Sequence, residues 1–157
     1  KPDAVVLISS YASSAALVKE MKKGGYTGQF VSVSFVGGKA LADELGSNGP
    51  GVMVSEVVPF PWSKASPIQG EYAQAMQKAG VPDRSFGSME GFLAAKTLVE
   101  GLRRAGRELT RAKLVTALET MRNWDAGGFV VSFTPENHNG SRFVEMTMIG
   151  AGGRFVH

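Results

Sequence analysis

The first 58 residues show a regular exchange of strand-like and helix-like hydrophobic patterns. Apolar runs rich in branched side chains at 4–8, 30–35 and 51–58 predict three strands, and helical spacing at 15–23 and 39–45 predicts two helices between them. This order of elements predicts a parallel sheet with right-handed, helix-covered connections. Because the run at 4–8 is apolar at every position, we expect its strand to be buried on both faces.

Beyond residue 58 the pattern changes from alternating elements to helices alone. The segment 59–63 contains two prolines, which cannot continue a strand ladder, so it predicts a crossover into a second structural unit. Helical periodicity then predicts helices at 68–79, 89–105 and 111–121. Helices without strands cannot form a unit like the first. The pattern therefore indicates a fragment of a longer protein, or a chain whose second lobe lacks its N-terminal half.

The last thirty residues form another strand-rich segment. Two strand-like runs flank a polar turn at 134–140, and a third short run follows the glycines at 150–153. Gly127 and Gly128 precede these runs and predict a second crossover. We expect the runs to form a closing β meander that belongs with residues 1–58.

Composition narrows the classes of protein that the chain can represent. Its 157 residues suffice for one ordinary domain with a core, and the absence of cysteine excludes disulfides and cysteine-based zinc sites. No apolar run approaches the roughly 18 residues that span a bilayer. No signal peptide precedes the first predicted strand, as would hold for a mature secreted chain.

The net charge of +3 is too small and too dispersed to predict nucleic-acid binding. Two groups of basic residues lie on predicted helices without interleaved aromatic side chains, so we interpret both groups as solvated helix faces. The groups are Lys19, Lys22 and Lys23, and Arg103, Arg104, Arg107 and Arg111.

Catalytic and cofactor motifs are missing from the sequence, which predicts a protein that is not an enzyme and holds no metal or cofactor. The two histidines, His138 and His157, have no metal-ligand spacing around them, and the serines form no Gly-x-Ser-x-Gly elbow. Gly37 and Gly38 lack the spacing of a phosphate-binding loop. A small flavodoxin-like enzyme is an alternative, but residues 9–14 match its phosphate loop only weakly.

Several segments in one order carry a resemblance to a known family. They are Pro2-Asp-Ala-Val-Val-Leu7, Gly25-Tyr-Thr-Gly-Gln-Phe30, Gly51-Val-Met-Val-Ser55, the stretch 88–106, and the terminal Phe133-Thr-Pro-Glu-Asn-His-Asn-Gly140 with Gly152-Gly-Arg-Phe-Val156. In this order the chain resembles, over nearly its whole length, the C-terminal half of the type 1 periplasmic solute-binding proteins. These proteins bind branched-chain amino acids and related ligands and feed ABC transporters.

The resemblance implies an α/β fold of two three-layer lobes, joined by crossovers, with the ligand bound between them. Residues 1–58 and 129–157 would belong to the C-terminal lobe, and 62–126 would be the helical part of the N-terminal lobe. The crossovers would lie near 59–63 and 127–131.

The implied function is capture of a branched-chain amino acid, or of an aromatic or aliphatic carboxylate, by hinge closure in the periplasm. The implied partners are this small molecule and ABC permease subunits. A sensory or regulatory ligand-binding domain on the same fold is the alternative. If the helices lack their sheet, the apolar residues Phe92, Leu98 and Leu102 predict dimerisation.

Two loops after strands are candidate ligand contacts, because ligands of open α/β sheets bind beyond the carboxyl ends of the strands. Ser10 and Tyr11 follow the first strand and precede a helix, whose N-terminus suits a carboxylate. Tyr11 also matches a cleft-lining aromatic residue of the family. The alternative is a tyrosine that packs on its own helix.

Ser34 and Phe35 form the second candidate loop. Amino-acid-binding relatives carry an acid at about the position of Ser34, which meets the ammonium group of the ligand. A serine cannot supply that charge-assisted contact, so this departure favours the broader ligand class. The alternative role of Ser34 is to cap the following helix.

Met89 and Glu90 are the third candidate pair, at the start of the longest predicted helix. Met89 matches a place where the family often has a cleft-lining aromatic residue, and methionine adapts to irregular apolar ligands. Glu90 is expected in the first helical turn, where the dipole favours a carboxylate even without a ligand.

Overall fold

The computed structural model describes residues 2–81 and 83–157, and within them it contains seven strands and five α-helices. In chain order these are β1 (Ala4–Leu7), α1 (Tyr11–Lys23), β2 (Gln29–Val33), α2 (Gly38–Leu45), β3 (Met53–Glu56), α3 (Pro67–Lys78), α4 (Phe86–Ala105), α5 (Arg111–Glu119), β4 (Trp124–Asp125), β5 (Val130–Val131), β6 (Glu145–Ile149) and β7 (Phe155–Val156). The predicted α/β class is confirmed. None of the helices in the described part combines the length and apolar character needed to cross a membrane.

The chain divides into two compact units. The first consists of the described residues of Lys1–Val57 together with Val144–His157, and the second is Val58–Phe143. The proline segment at 59–63 therefore follows directly after the first unit ends. The crossover predicted at 127–131 differs from the structure, because these residues lie inside the second unit and the chain re-enters the first only at Val144.

The first unit contains a five-stranded sheet in the order β1-β2-β3-β6-β7. β1, β2 and β3 are parallel, with Leu7 opposite Ser32 and Ser32 opposite Val54. β6 runs antiparallel to β3, and β7 runs antiparallel to β6. The parallel order predicted for residues 1–58 is thus present in this unit, with an antiparallel hairpin added at one edge.

The core of the first unit lies between the sheet and the helices α1 and α2. It combines Phe30, Val54 and Ile149 of the sheet with Val18 of α1 and Leu41 of α2, all of them buried. Burial of apolar side chains in such a layer contributes roughly 1.5–3 kcal/mol for each large residue.

β1 was expected to be buried on both faces, but one of its faces is exposed. Ala4 and Val6 are exposed, whereas Leu7 is buried. β1 is an edge strand, and α1 and α2 cover only the face that carries Leu7. Met146 and Met148 of β6 are also partly exposed. An apolar run without alternation therefore does not by itself establish a fully buried strand.

Two helices begin three or four residues earlier than predicted, because an upstream serine serves as the N-cap. α1 begins at Tyr11, not at residue 15, since the Ser10 hydroxyl accepts the Ser13 N–H at 3.4 Å. α4 begins at Phe86, not at residue 89. Ser85 and Ser88 form a reciprocal capping box there, with the Ser88 N–H donating to Ser85 Oγ at 3.1 Å.

The second unit is built from α3, α4 and α5 and a two-stranded ribbon, β4–β5. α4 packs on α5 at Gly101, where a Cβ atom would lie only 2.7 Å from Leu118 Cδ2, so glycine permits the close approach. The buried residues of α4 include Phe86, Met89 and Leu93. Of the three apolar residues from which dimerisation was predicted, Leu98 and Leu102 are exposed and Phe92 is half-buried.

The predicted terminal meander is divided between two sheets. Val130–Val131 pairs with Trp124–Asp125 in the second unit, and only Glu145–Ile149 and Phe155–Val156 join the sheet of the first. The physical reason is the turn at Gly127 and Gly128, whose φ angles of 109° and 92° fold the strand back on the segment before it. Asp125 Oδ1 accepts the backbone N–H groups of both glycines.

We expect the free energy of unfolding to depend on pH through the carboxylate of Asp125. The N–H groups of Gly128 and then Gly127 hold the pKa of Asp125 below its ordinary value of 3.8. A lowered folded-state pKa stabilises the fold above pH 3.8, and this contribution is lost as pH falls through the folded-state pKa. We expect Asp125→Asn to lower the urea midpoint at pH 6 and to have a smaller effect at pH 2.5. Asp83→Asn is the matched control, and an equal effect of both variants at pH 6 would contradict the assignment.

Candidate functional site

The loops after β1 and β2 lie at the same edge of the first unit's sheet. The two strands are parallel and in direct register, with Leu7 opposite Ser32, so both chains leave the sheet in the same direction. The chain after β1 leads into α1 through Ser10. The chain after β2 forms a short 3-10 turn at Ser34–Val36 before α2. The topology thus brings Ser10, Tyr11, Ser34 and Phe35 to one edge of the sheet.

Ser10 and Tyr11 form the beginning of α1. The Ser10 hydroxyl accepts the Ser13 N–H and donates to Ser13 Oγ at 3.2 Å. No acidic residue occupies the first turn, so no carboxylate of this turn meets the positive end of the helix dipole. Tyr11 is the first helical residue, not a loop residue, and it is 44% exposed. It therefore presents much of its ring to the surface.

Ser34 and Phe35 occupy the 3-10 turn after β2. Gly37 ends this turn with a φ of 84° and donates its N–H to the Ser34 carbonyl at 3.1 Å. The alternative role of Ser34 as a cap is wrong, because the N-cap of α2 is Gly37 and makes no side-chain cap bond. Phe35 is 73% exposed. A large aromatic ring at this exposure is available for contact with another molecule.

Met89 and Glu90 lie in the second unit, on α4. Met89 is completely buried, so in this structure it is a core residue and does not line an open surface. Glu90 is exposed and follows four earlier helical residues, because α4 begins at Phe86. The expected stabilisation of Glu90 by the first turn therefore does not apply. A spacing of three to four residues relates Met89 to the buried Phe86 and Leu93, and this pattern predicts core packing.

Glu56 was not singled out from the sequence, although it lies at the same sheet edge. It ends β3 and is almost completely buried. A Cβ atom on Gly38, the first residue of α2, would lie 3.3 Å from Glu56 Oε1, so the glycine leaves room for this carboxylate beside the helix N-terminus. The signal in the sequence is an acidic residue within the strand-like run 51–58.

Two surface concavities lie in the described part of the second unit. One, of about 540 Å³, is lined within residues 123–143 by hydroxyl and amide side chains together with Val130, Arg142 and Phe143. The other, of about 360 Å³, is apolar and is lined by Leu93 and Leu98 of α4, Leu118 of α5 and the rings of Phe129 and Phe133. Within residues 2–81 and 83–157, no three His, Asp or Glu side chains come together as metal ligands would.

Comparison with known proteins identifies the family. Residues 1–154 match the family model described as periplasmic binding protein. A possible leucine/isoleucine/valine-binding protein from Rhodopirellula baltica SH 1 superposes with a TM-score of 0.90 at 30% identity, covering 99% of this chain and 43% of that chain. A substrate-binding periplasmic protein from Ralstonia solanacearum gives 0.85 at 30% identity, covering 98% and 45%. No curated protein matches the chain.

The chain therefore belongs to the periplasmic binding protein family and has the type 1 fold. A branched-chain amino acid ABC transporter protein from Thermus thermophilus with bound valine has the same fold, with a TM-score of 0.78 at 23% identity over 98% of this chain and 44% of that one. The chain spans less than half the length of each of these three solved proteins.

Proposed function

We propose that the chain is part of the extracytoplasmic solute-binding component of an ABC importer. In this proposal, a small organic solute is captured between two lobes that close around it, and ABC permease subunits then receive the solute. The protein would act by binding alone, without catalysis, in the periplasm. The family match supports the class of protein, and the arrangement of the first unit supports the place of binding.

The observation that carries the proposal is the shared sheet edge of the first unit. Ser10 and Tyr11 follow β1, and Ser34 and Phe35 follow the adjacent parallel strand β2. Hydroxyl groups and exposed aromatic rings are therefore grouped beyond the carboxyl ends of parallel strands, where open α/β sheets bind ligands. Tyr11 and Phe35 can cover the apolar part of a solute, and Tyr11 can also donate a hydrogen bond.

The chemistry of these side chains guides the choice of solutes. Ser10, Tyr11, Ser34 and Phe35 supply hydroxyl groups and rings, and the first N–H groups of α1 suit a carboxylate. Both branched-chain amino acids and aromatic or aliphatic carboxylates match this description. Glu90 of the second unit is exposed and stays a candidate ligand contact, whereas Met89 would require a change in packing to reach a ligand.

A thermal-shift screen tests the proposal with the protein expressed from its complete gene. The solutes are leucine, isoleucine, valine, phenylalanine, phenylacetate and 4-methylpentanoate. A ligand that binds only the folded state stabilises it by about 2.7 kcal/mol at a concentration of 100 Kd, so the Tm should rise with dose. If none of these solutes raises the Tm at millimolar concentration, the proposed function is wrong.

Removal of the two exposed rings should weaken this binding. We expect Tyr11→Ala or Phe35→Ala to raise the Kd of the stabilising solute roughly tenfold, because about 1.4 kcal/mol of apolar contact is lost. Isothermal titration calorimetry provides the measurement. Leu17→Ala is the matched control, since Leu17 is similarly exposed on α1 but lies well beyond its first turn. Unchanged affinity in both ring variants would contradict the proposed place of binding.

A further inference from the structure

Two asparagines of the chain precede glycine, and the structure places them in opposite environments. Asn48-Gly49 follows α2, and Asn139-Gly140 lies in the loop after β5. Asparagine is a chemically labile residue, and a following glycine has no Cβ atom to hinder attack of its backbone nitrogen on the asparagine side chain. Both sites have the same reactive pair of residues, so a difference in their reactivity reports on the fold.

The peptide group between Asn48 and Gly49 is held by hydrogen bonds on both of its sides. The Gly49 N–H donates to the Gly46 carbonyl at 3.0 Å. The Asn48 carbonyl accepts a hydrogen bond from Lys22 Nζ at 2.7 Å. Asn48 also ends a short 3-10 turn, and Gly49 is buried beside Ile149. The Gly49 nitrogen can reach the side chain of Asn48 only after rotation about the Asn48 Cα–C bond, and that rotation would break both hydrogen bonds.

The peptide group between Asn139 and Gly140 has no such restraint. Within residues 2–81 and 83–157, the Asn139 carbonyl, the Asn139 side-chain amide and the Gly140 N–H take part in no hydrogen bond. Asn139 is exposed and lies outside the helices and strands. Rotation about its Cα–C bond therefore breaks no hydrogen bond of this peptide group, and the Gly140 nitrogen can approach Asn139 Cγ.

Packing keeps a glycine at position 140. A Cβ atom there would lie 2.7 Å from two atoms of the Phe133 ring. The Gly140 carbonyl accepts the Ser132 N–H at 2.8 Å, which holds the residue against that ring. The loop thus requires the residue type whose backbone nitrogen is least hindered.

We propose that the fold leaves Asn139 as a site of spontaneous deamidation while it protects Asn48. The Gly140 nitrogen gives up its proton and attacks Asn139 Cγ, the Cγ–Nδ2 bond breaks, and the side-chain nitrogen takes up a proton and leaves as ammonia. The product is a five-membered succinimide ring. Water then opens the ring. Cleavage of the bond between the nitrogen and Cγ gives aspartate, and cleavage of the bond between the nitrogen and the main-chain carbonyl carbon gives isoaspartate.

Either product places a carboxylate in the concavity of about 540 Å³ on the second unit. Asn139 lines this concavity together with Ser132, Thr134 and Arg142, and Arg142 is the charged residue among those that line it. The net charge of the chain falls from +3 to +2. Isoaspartate also lengthens the main chain by one methylene group directly before Gly140. Deamidation therefore changes both the charge of the concavity and the path of the loop, and it does so whether or not the proposed function is correct.

The test compares the two asparagines within one protein by peptide mapping. The protein expressed from its complete gene is incubated at pH 8 and 37 °C, in buffer and in 8 M urea, and samples are digested at pH 6 and analysed by mass spectrometry. In buffer we expect Asn139 to react at least about tenfold faster than Asn48, because reaction at Asn48 must await local opening. In urea the two rates should agree within about threefold, because the hydrogen bonds at Asn48 are lost.

Asn139→Gln and Asn48→Gln are matched variants, because glutamine keeps the amide and would have to close a larger ring. On isoelectric focusing of the folded protein, wild type and Asn48→Gln should gain an acidic band at the same rate, and Asn139→Gln should not gain it over that time. Equal rates at the two asparagines in buffer, or a faster reaction at Asn48, would overturn the proposal. A difference that persists in urea would also overturn it, because flanking sequence would then be the cause. Absence of reaction at Asn139 in buffer, over a time in which the unfolded protein is converted, would count equally against it.

Discussion

Replacing Gly28 by alanine should lower the free energy of unfolding by about 3 kcal/mol, at the upper end of the ordinary cost of overpacking. A Cβ atom at this position would overlap the hydroxyl group of Tyr26 and would lie 2.6 Å from the Asp3 carbonyl oxygen. Neither neighbour is free to move. The Asp3 carbonyl accepts the Gln29 N–H at 3.0 Å beside the pairing of β1 and β2, and Tyr26 packs edge-on against Phe30 at 5.1 Å in the core.

Urea unfolding followed by circular dichroism measures this effect, and Gly24→Ala is the matched control. Gly24 ends α1 with a φ of −77°, and a Cβ atom there would meet the Glu20 and Met21 carbonyls at an ordinary 3.5 Å. Alanine at this position should change stability by no more than about 1 kcal/mol, because it adopts the same backbone conformation without strain. Similar losses in both variants would show that the close approach at Gly28 is not the cause.

Hydrophobic periodicity predicted the existence and order of most elements, but their first residues depended on capping chemistry. Five helices and the three parallel strands occur where the pattern indicated them. The start of α1 was misplaced because residues 9–14 contain four serines, and serine serves equally as an N-cap or as a first-turn residue. Only the position of Ser10 relative to the Ser13 N–H distinguishes these roles.

The pairing of the last strands could not be predicted from their pattern. β5 contains only two residues, which is too short for an alternation of period two to select a partner. Its partner β4 is equally short, and the turn at Gly127 and Gly128 brings the two together. The pairing of β5 was therefore decided by a local turn that the sequence marked as a crossover.

The candidate site was predictable in part. The rule that ligands bind beyond the carboxyl ends of strands located Ser10, Tyr11, Ser34 and Phe35, and the topology groups these residues at one sheet edge. Met89 was selected by resemblance to the family, against the helical spacing that relates it to Phe86 and Leu93. Burial of Met89 follows from that spacing, so the local pattern was the better guide at this position.

Tyr72 should be the most sensitive position of the second unit, and Tyr72→Ala should lower the free energy of unfolding by about 3–5 kcal/mol. Its side chain is completely buried, and its ring packs against Phe92 at 5.7 Å. The hydroxyl group lies 2.7 Å from Ser88 Oγ and accepts the Ser85 N–H at 3.2 Å. Tyr72 thus joins α3 to the capping box that begins α4, and alanine would leave both a cavity and an altered cap.

Tyr72→Phe removes the hydroxyl group and keeps the ring, so it measures the contribution of the hydroxyl group alone. Tyr26→Phe is its matched control. Both tyrosines are buried, but the Tyr26 hydroxyl has no hydrogen-bond partner among the described residues, whereas the Tyr72 hydroxyl is hydrogen-bonded to Ser85 and Ser88 near the start of α4. We expect Tyr72→Phe to lower the free energy of unfolding by about 1 kcal/mol, because its hydrogen bonds are lost. Tyr26→Phe should be neutral or stabilising, because it removes the desolvation penalty of an unsatisfied buried hydroxyl group. Urea unfolding provides both values. A loss of stability in Tyr26→Phe that equals the loss in Tyr72→Phe would mean that the hydrogen bonds to Ser85 and Ser88 do not stabilise the second unit.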